Sequence, residues 1–336
     1  FNSKVMKFRA FIGIDVSKST IDIHLRNAGR HAVFVNDLEG FEAMVEWLMD
    51  ILGQVCPDEM MFGLEHTGLY SELLISFLND HNFPFTVLPG LEVKKSMGIR
   101  RGKSDKADAK DIADYIYEKR EKVNLFNMPS QNLESIRKLA SYRERLVKER
   151  TAYKTRLGEY QKVYGKESYE IYTESHKQII ACLDKQIKGM EAEMERLIKD
   201  DQEMLRQYRL VKSVKGIGPQ TAIMMIVLTK AFTAFPEWRK FASYAGIAPF
   251  PNQSGTYMGK TRTSKLANKR IKGLLTMCAA VAVQHNPEMR LYYEKRVNKG
   301  KNKMSTINII RNKLVSRIFA VIERGTPYVE TMKYAA

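Results

Sequence analysis

The sequence predicts three successive parts: an α/β domain over residues 7–127, a charged helical coiled-coil segment over 130–205, and a mostly α-helical domain over 206–336. Three observations predict this. In the first third, short apolar runs ending in polar turns alternate with stretches of helical periodicity. The middle is rich in charge, poor in Gly and Pro, and carries a heptad-like seam. The last third is helical, with a glycine turn and a basic stretch.

Phe11 to Val16 is an apolar run closed by Ser17-Lys18-Ser19. Ile21, Ile23 and Leu25 alternate with polar residues, the period of a half-buried strand. Ala32 to Val35 reads as a third strand. Leu38 to Leu52 places Phe41, Met44, Val45, Leu48, Ile51 and Leu52 at helical spacing. Met60 to Leu64 reads as a buried strand, Leu69 to Leu78 as a helix, Phe85 to Leu88 as a strand ended by Pro89-Gly90, and Ala107 to Tyr117 as a helix. Three strands, helix, strand, helix, strand, helix is the order of the ribonuclease-H-like fold, whose first three strands are antiparallel.

In the middle segment, Leu183, Ile187, Met190, Met194 and Leu197 step by four, three, four and three, an a/d seam. The first arm is weaker: Leu139, Leu146 and Tyr153 step by seven, but Arg143 and Arg150 stand where apolar partners belong. Tyr164 to Ser175 reads as an interruption. The pattern predicts an antiparallel helical hairpin or a dimerising coiled coil. In the last part, Val214-Lys215-Gly216-Ile217-Gly218-Pro219 lies between two helical stretches, Ala248 to Gly259 reads as a Pro- and Gly-containing flexible loop, and Lys260 to Lys272 is strongly basic.

Composition narrows the function classes. Hydrophobic residues make up 44% of the 336, enough for real cores. Lys and Arg total 55 against 38 acids, a formal net charge of +17, and the cations cluster; a polyanion partner is the simplest reading. Cys56, Cys182 and Cys278 form no CxxC pair, which speaks against a disulfide scaffold or zinc site and fits a reducing cytoplasm. No apolar run approaches the roughly 20 residues that span a bilayer, so no membrane partner is expected. The stretch Phe1 to Arg9 lacks a signal-peptide core, and a first residue other than Met reads as a trimmed start.

Candidate chemistry rests on acids at strand ends. Asp15 closes an apolar strand, where a carboxylate is costly to bury unless it meets a cation or caps a turn. Glu65 closes Met60 to Leu64 and either binds a cation or starts the next helix with favourable dipole. Asp105 and Asp108 share one helical face, continued by Asp111 and Asp114, so they are metal ligands or part of a solvated acidic stripe. Arg100, Arg101 and Lys103 lie just upstream and would suit phosphate beside the metal. Jointly, Asp15, Glu65, Asp105 and Asp108 can hold two Mg²⁺ ions about 3.5–4 Å apart, the arrangement that stabilises both attacking and leaving oxygens of a phosphodiester displacement.

Gly216 and Gly218 resemble a helix-hairpin-helix turn, whose backbone N–H groups and following helix N-terminus bind phosphate; an ordinary interhelical turn fits equally. Ser254, in Asn252-Gln253-Ser254-Gly255-Thr256, precedes Lys260, Arg262, Lys265, Lys269, Arg270 and Lys272, cations suited to a nucleic-acid backbone. On its residues alone it is a turn serine, since no base is visible nearby. His24, His31, His66, His81, His176 and His285 show no metal-ligand spacing and read as structural or surface residues.

These motifs, taken in order, resemble one family. Ile12-Gly13-Ile14-Asp15, Glu65-His66-Thr67-Gly68-Leu69-Tyr70, Lys103-Ser104-Asp105-Lys106-Ala107-Asp108-Ala109, Gly216-Ile217-Gly218, and Ser254-Gly255 before the basic stretch are similar to the DEDD insertion-sequence transposases guided by a bridge RNA, related to the pilin-gene invertases. The resemblance covers nearly the whole chain. His66 departs from the small residue commoner there, without touching the acid. The resemblance implies a RuvC-like domain in which Asp15, Glu65, Asp105 and Asp108 bind Mg²⁺. It implies that Ser254 is a nucleophile forming a phosphoserine–DNA link, so that rejoining needs no ATP. It implies a composite site, with acids of one subunit meeting the serine of another in a tetramer (a dimer of dimers), the middle helices supplying dimer contacts and gripping RNA. A guide RNA would select donor and target DNA by base pairing. The setting would be cytoplasmic, at the bacterial or archaeal nucleoid.

Two other functions fit the residues: a metal-dependent, structure-specific nuclease using water, for which Ser254 is dispensable, and a non-catalytic nucleic-acid binder, for which the four acids are.

Overall fold

The computed structural model describes residues 8–65, 67–96, 104–165 and 170–330. His66, Arg100, Arg101 and Lys103 lie outside the described residues. The chain divides into two compact units, Phe1–Met128 and Pro129–Ala336.

The first unit is a mixed α/β sheet domain. Strands β1 (Ala10–Val16), β2 (Thr20–Leu25) and β3 (Arg30–Val35) lead into helix α1 (Leu38–Leu52); β4 (Met60–Glu65), α2 (Glu72–Asp80), β5 (Phe85–Leu88), α3 (Gly90–Ser96) and α4 (Asp105–Glu118) follow. The sheet order is β3-β2-β1-β4-β5. The first three strands pair antiparallel, whereas β4 runs parallel to both β1 and β5. Parallel strands need a crossover over one face, and α1 provides it, capped by the Asp37 carboxylate accepting from the Gly40 N–H at 2.8 Å.

Both faces of the central strands are covered. Ile12, Ile14, Phe62 and Leu64 pack with Phe41, Met44 and Leu48 of α1 and Leu74 and Leu78 of α2. Phe11, Met61 and Leu88 pack with Val93 of α3 and Ile112 and Ile116 of α4. That is why β1 and β4 read as continuous apolar runs rather than alternating ones. Each fully buried side chain of this size contributes about 1.5–3 kcal/mol.

Two elements differ from expectation. The helix foreseen from Leu69 begins as a short 3₁₀ turn, Gly68–Ser71, and α2 starts at Glu72. Gly68 has φ +67, and Leu69 is 77% exposed, so the apolar side chain that suggested helix buries little. The α3 helix after Pro89 was not foreseen; with 7 residues it is too short to show a period.

The second unit is mostly helical. Helices α5 (Gln131–Tyr164) and α6 (Glu170–Lys199) pair antiparallel within the chain, and α6 begins earlier than the expected interruption to Ser175 allowed. Arg143 and Arg150, the residues that break the apolar seam, meet acids of the opposite helix. Arg143 Nε donates to Glu191 at 2.7 Å and Arg150 to Asp184 at 2.6 Å. The Arg150 hydrogen bond holds the Asp184 carboxyl below the usual carboxylate range. Near the far end, Tyr160 stacks on Tyr172 with centroids 4.1 Å apart.

The other end of this hairpin joins α7 (Gln202–Ser213), α8 (Pro219–Leu228), α9 (Trp238–Tyr244), α10 (Lys269–His285), α11 (Pro287–Asn298) and α12 (Lys303–Arg324). Leu133, Ile136, Met194 and Ile198 from the hairpin share one core with Val211, Ile223, Phe241, Leu275 and Leu314. The helical segment is therefore part of the same body as the C-terminal helices. The stretch expected as a flexible loop is instead a two-stranded hairpin, β6 (Pro249–Ser254) and β7 (Tyr257–Thr263). None of its residues is buried, so it leaves no apolar alternation in the sequence to betray it. Among the described residues, no helix is long and apolar enough to cross a membrane.

Candidate active site

Asp15 sits one residue before the carboxyl end of β1, and Glu65 ends β4. Ile14 pairs with Leu64, so these acids are the next residues along two adjoining parallel strands. The carboxyl ends of parallel strands are where open α/β sheets commonly place their sites.

Two glycines decide what lies over these acids. Gly13 and Gly63 are direct partners in the β1–β4 pair. A Cβ on Gly13 would lie 2.1 Å from the Ala109 carbonyl oxygen and 2.4 Å from the Ala113 nitrogen. One on Gly63 would lie 2.7 Å from Ile116 Cγ2. Helix α4 thus rests against strand backbone at a distance no side chain permits. Its first turn carries Asp105 and Asp108, set by Ser104, whose hydroxyl caps the Ala107 N–H at 3.3 Å.

The result is a cluster. One carboxylate oxygen from each of Asp15, Asp105 and Asp108 lies within 4.8 Å of the other two. Asp15 and Asp108 are half-buried, and Asp105 is exposed. Like charges this close repel; the positive end of α4 offsets part of that, and a divalent cation would offset more. The donors are hard oxygens, the type Mg²⁺ takes alongside phosphate and water, so the residues fit a divalent ion. Glu65 is outside this group. Its carboxylate packs on the backbone of Gly90, where a Cβ would lie 2.4 Å from Oε2.

Neighbouring groups were not foreseen as part of this region. Asp22 on β2 is the direct partner of Asp15, but its Oδ1 is engaged by His31 Nε2 at 2.8 Å. His24 is buried beside α4; burial lowers its pKa, opposed by Asp114 and reinforced by Lys110, His31 and Lys106. Tyr115 of α4 donates to Glu92 at 2.6 Å, and burial with that bond pushes its pKa up to about 12. The only sequence signal for this arrangement was the pair of glycines inside apolar strands, which mark close backbone approach.

Ser254 belongs to the second unit. It is the last residue of β6, paired with Tyr257 across the two-residue turn Gly255-Thr256. Gly255 takes φ +56, the conformation wanted at the first position of a type II′ turn. Lys260 and Arg262 are exposed on β7, Lys265 is exposed in the connection, and Lys269 and Lys272 lie in the opening turns of α10. Arg270 is turned inward: it bonds Glu144 at 2.8 Å and the Ala140 carbonyl at 2.6 Å. Gly216 takes φ +99, with Ala282 Cβ 2.9 Å from where its own Cβ would be, so this turn needs glycine twice over. Gly218 caps α8 in open surroundings.

Comparison with known proteins places this geometry. Residues 12–164 match the DEDD-type "Transposase" model of IS110, and residues 208–294 match the "Transposase IS116/IS110/IS902 family" model. The chain is 28% identical to the pilin gene-inverting protein of Moraxella bovis over 331 residues, 95% of this chain and 98% of that one. It is 22% identical to the insertion element IS116 44.8 kDa protein of Streptomyces clavuligerus, covering 87% and 89% of the two chains. Identity to the IS110 43.6 kDa protein of Streptomyces coelicolor is 26%, over 51% and 41%.

An acid cluster on an α/β sheet, followed by a basic helical unit, within such relatives defines a DNA recombinase. Through both matches the chain belongs to the IS110-family transposases, and it is homologous to the pilin gene-inverting proteins.

Proposed function

We propose that this transposase cuts and rejoins the DNA of a mobile element by serine transesterification under the direction of a guide RNA. The observation that carries the reading is the convergence of Asp15, Asp105 and Asp108 within 4.8 Å, inside the segment that matches the DEDD model. In this reading the first unit is RuvC-like and the bound ion is Mg²⁺, held by those three acids with Glu65 beside them. The ion would supply charge stabilisation to the phosphate under attack.

Ser254 is the nucleophile. Its Oγ forms a bond to a DNA phosphorus, a phosphodiester P–O bond breaks, and the Ser254 proton leaves as the departing deoxyribose oxygen becomes a hydroxyl. The reverse step, on a new strand end, rejoins DNA and releases the serine. Phosphodiester bond energy is kept in the phosphoserine, so no nucleotide hydrolysis is needed. Exposure of Ser254 at a tight turn supports this role, because an attacking oxygen must reach an inflexible duplex backbone. The acids of one subunit complete the serine of another in a dimer of dimers, and α5–α6 takes part in subunit and RNA contacts. The Gly216–Gly218 turn and Lys260, Arg262, Lys265, Lys269 and Lys272, with Arg100, Arg101 and Lys103, bind nucleic-acid backbone.

The test is a covalent adduct. The purified protein with its co-purifying RNA, Mg²⁺ and nicked donor DNA is digested and mapped by mass spectrometry. A nucleotide on Ser254, absent in Ser254→Ala and reduced at least about 100-fold in Asp15→Asn, is expected. Cleavage without an adduct would instead support the water-using nuclease.

A further inference from the structure

The β6–β7 hairpin presents its side chains to solvent, yet it is not a polar ribbon. Phe250 is 44% exposed, Tyr257 64% and Met258 74%. A lone two-stranded ribbon is marginally stable in water, and large exposed aromatics on one call for a partner.

Register assigns the faces. Ser254 and Tyr257 are direct cross-strand partners, as are Asn252 and Gly259, and Phe250 and Arg262. Side chains of direct partners stand on the same face, with Cβ atoms about 4.5–5.5 Å apart. One face therefore carries Ser254, Tyr257, Asn252 and, beyond the register shift, Phe250 and Arg262. On this face the Tyr257 ring leans over Gly259. A Cβ at Gly259 would lie 2.9 Å from Tyr257 Cε1 and 2.9 Å from Asn252 Nδ2. One edge of the ring is thus seated on bare backbone, while most of the ring stays open to solvent beside Ser254.

What would occupy that open ring is indicated by charge. Lys260, Arg262, Lys265, Lys269 and Lys272 follow within the same segment, and no acid interrupts them between Tyr257 and Lys272. An anionic partner that also offers flat aromatic rings is a nucleic acid, whose bases stack on exposed aromatic side chains regardless of sequence.

We propose that Tyr257 is a base-stacking residue that holds the nucleotide next to the phosphate attacked by Ser254. This rests on the serine reading, and it adds a positioning contact on the same hairpin face. Gly259 has a defined part in it: a side chain there would lift the ring from its seat.

The experiment has two arms. In the first, the full-length protein is irradiated with a dT₁₂ oligonucleotide carrying one 5-iododeoxyuridine, and crosslinks are mapped by mass spectrometry. A crosslink at Tyr257, kept in Ser254→Ala, is expected; crosslinks elsewhere with none at Tyr257 overturn the assignment. In the second arm, strand cleavage is measured for Tyr257→Phe and Tyr257→Leu on the element's own end sequence, with and without the base flanking the scissile phosphate. Tyr257→Phe should stay within about twofold, and Tyr257→Leu should lose about tenfold or more. Removing the base should cost native protein as much and cost Tyr257→Leu nothing further. Additive losses overturn the proposal, as does a changed oligomeric mass in Tyr257→Leu, which would make the ring a subunit contact. If Ser254→Ala cleaves normally, the serine reading fails; the first arm then still reports whether Tyr257 meets a base.

Discussion

Gly13 and Gly63 lie side by side on adjoining parallel strands, and helix α4 crosses directly over both. This contact is what delivers Asp105 and Asp108 to Asp15. A helix packed on ordinary side chains would stand farther from the sheet and carry its first turn out of reach. The acidic cluster is therefore a consequence of two missing Cβ atoms, each two residues before an acid on its own strand.

Gly13→Ala tests that account. The added methyl would meet the Ala109 carbonyl oxygen at 2.1 Å, so α4 must move. The variant should lose about 1–3 kcal/mol of stability in urea denaturation, and it should need more Mg²⁺ for half-maximal cleavage. Unchanged metal dependence would separate the glycine from the site.

A second expectation concerns pH. Burial depresses the His24 pKa below its ordinary 6.5, and its Nδ1 is buried without a hydrogen-bond partner. The unfolded chain takes up this proton as pH falls through about 6.5, while the folded chain resists it. Stability from neutral His24 is therefore full above that pH and declines below it, until the folded pKa is reached. Thermal melts should show lower stability at pH 5 than at pH 7.5. His24→Leu should flatten that difference; a difference of the same size in the variant would assign it to other groups.

The basic stretch after Ser254 should divide by role. Arg270 bridges Glu144 and the Ala140 carbonyl, so Arg270→Ala should cost roughly 2–3 kcal/mol of stability by stranding partly buried partners. Lys269, one residue earlier, is exposed. Lys269→Ala should leave the melt unchanged and reduce the slope of log affinity for DNA against log salt by about 1. A stable Arg270→Ala with a reduced slope would reverse the two roles.

The sequence by itself determined the mixed sheet domain, its succession of strands and helices apart from α3, and the acids at the ends of β1 and β4. Burial on both sheet faces leaves apolar runs that end where side chains meet solvent, and that record is local in the chain. The helices of the middle segment were equally legible, most clearly in α6, where Ile187 and Met194 keep a regular seam, but the same seam fits pairing within the chain or between two chains. Tertiary structure alone decided the rest. Arg143 and Arg150 look like breaks in the seam until Glu191 and Asp184 are brought opposite them. The β6–β7 hairpin is invisible because no side chain in it is buried, so neither its register nor the pairing of Ser254 with Tyr257 leaves an apolar pattern. The approach of α4 to Gly13 and Gly63 joins residues about a hundred and about fifty positions apart. Periodicity reports which side of an element faces the core; it carries no information about distances between elements, and those distances are what gather three carboxylates into one site.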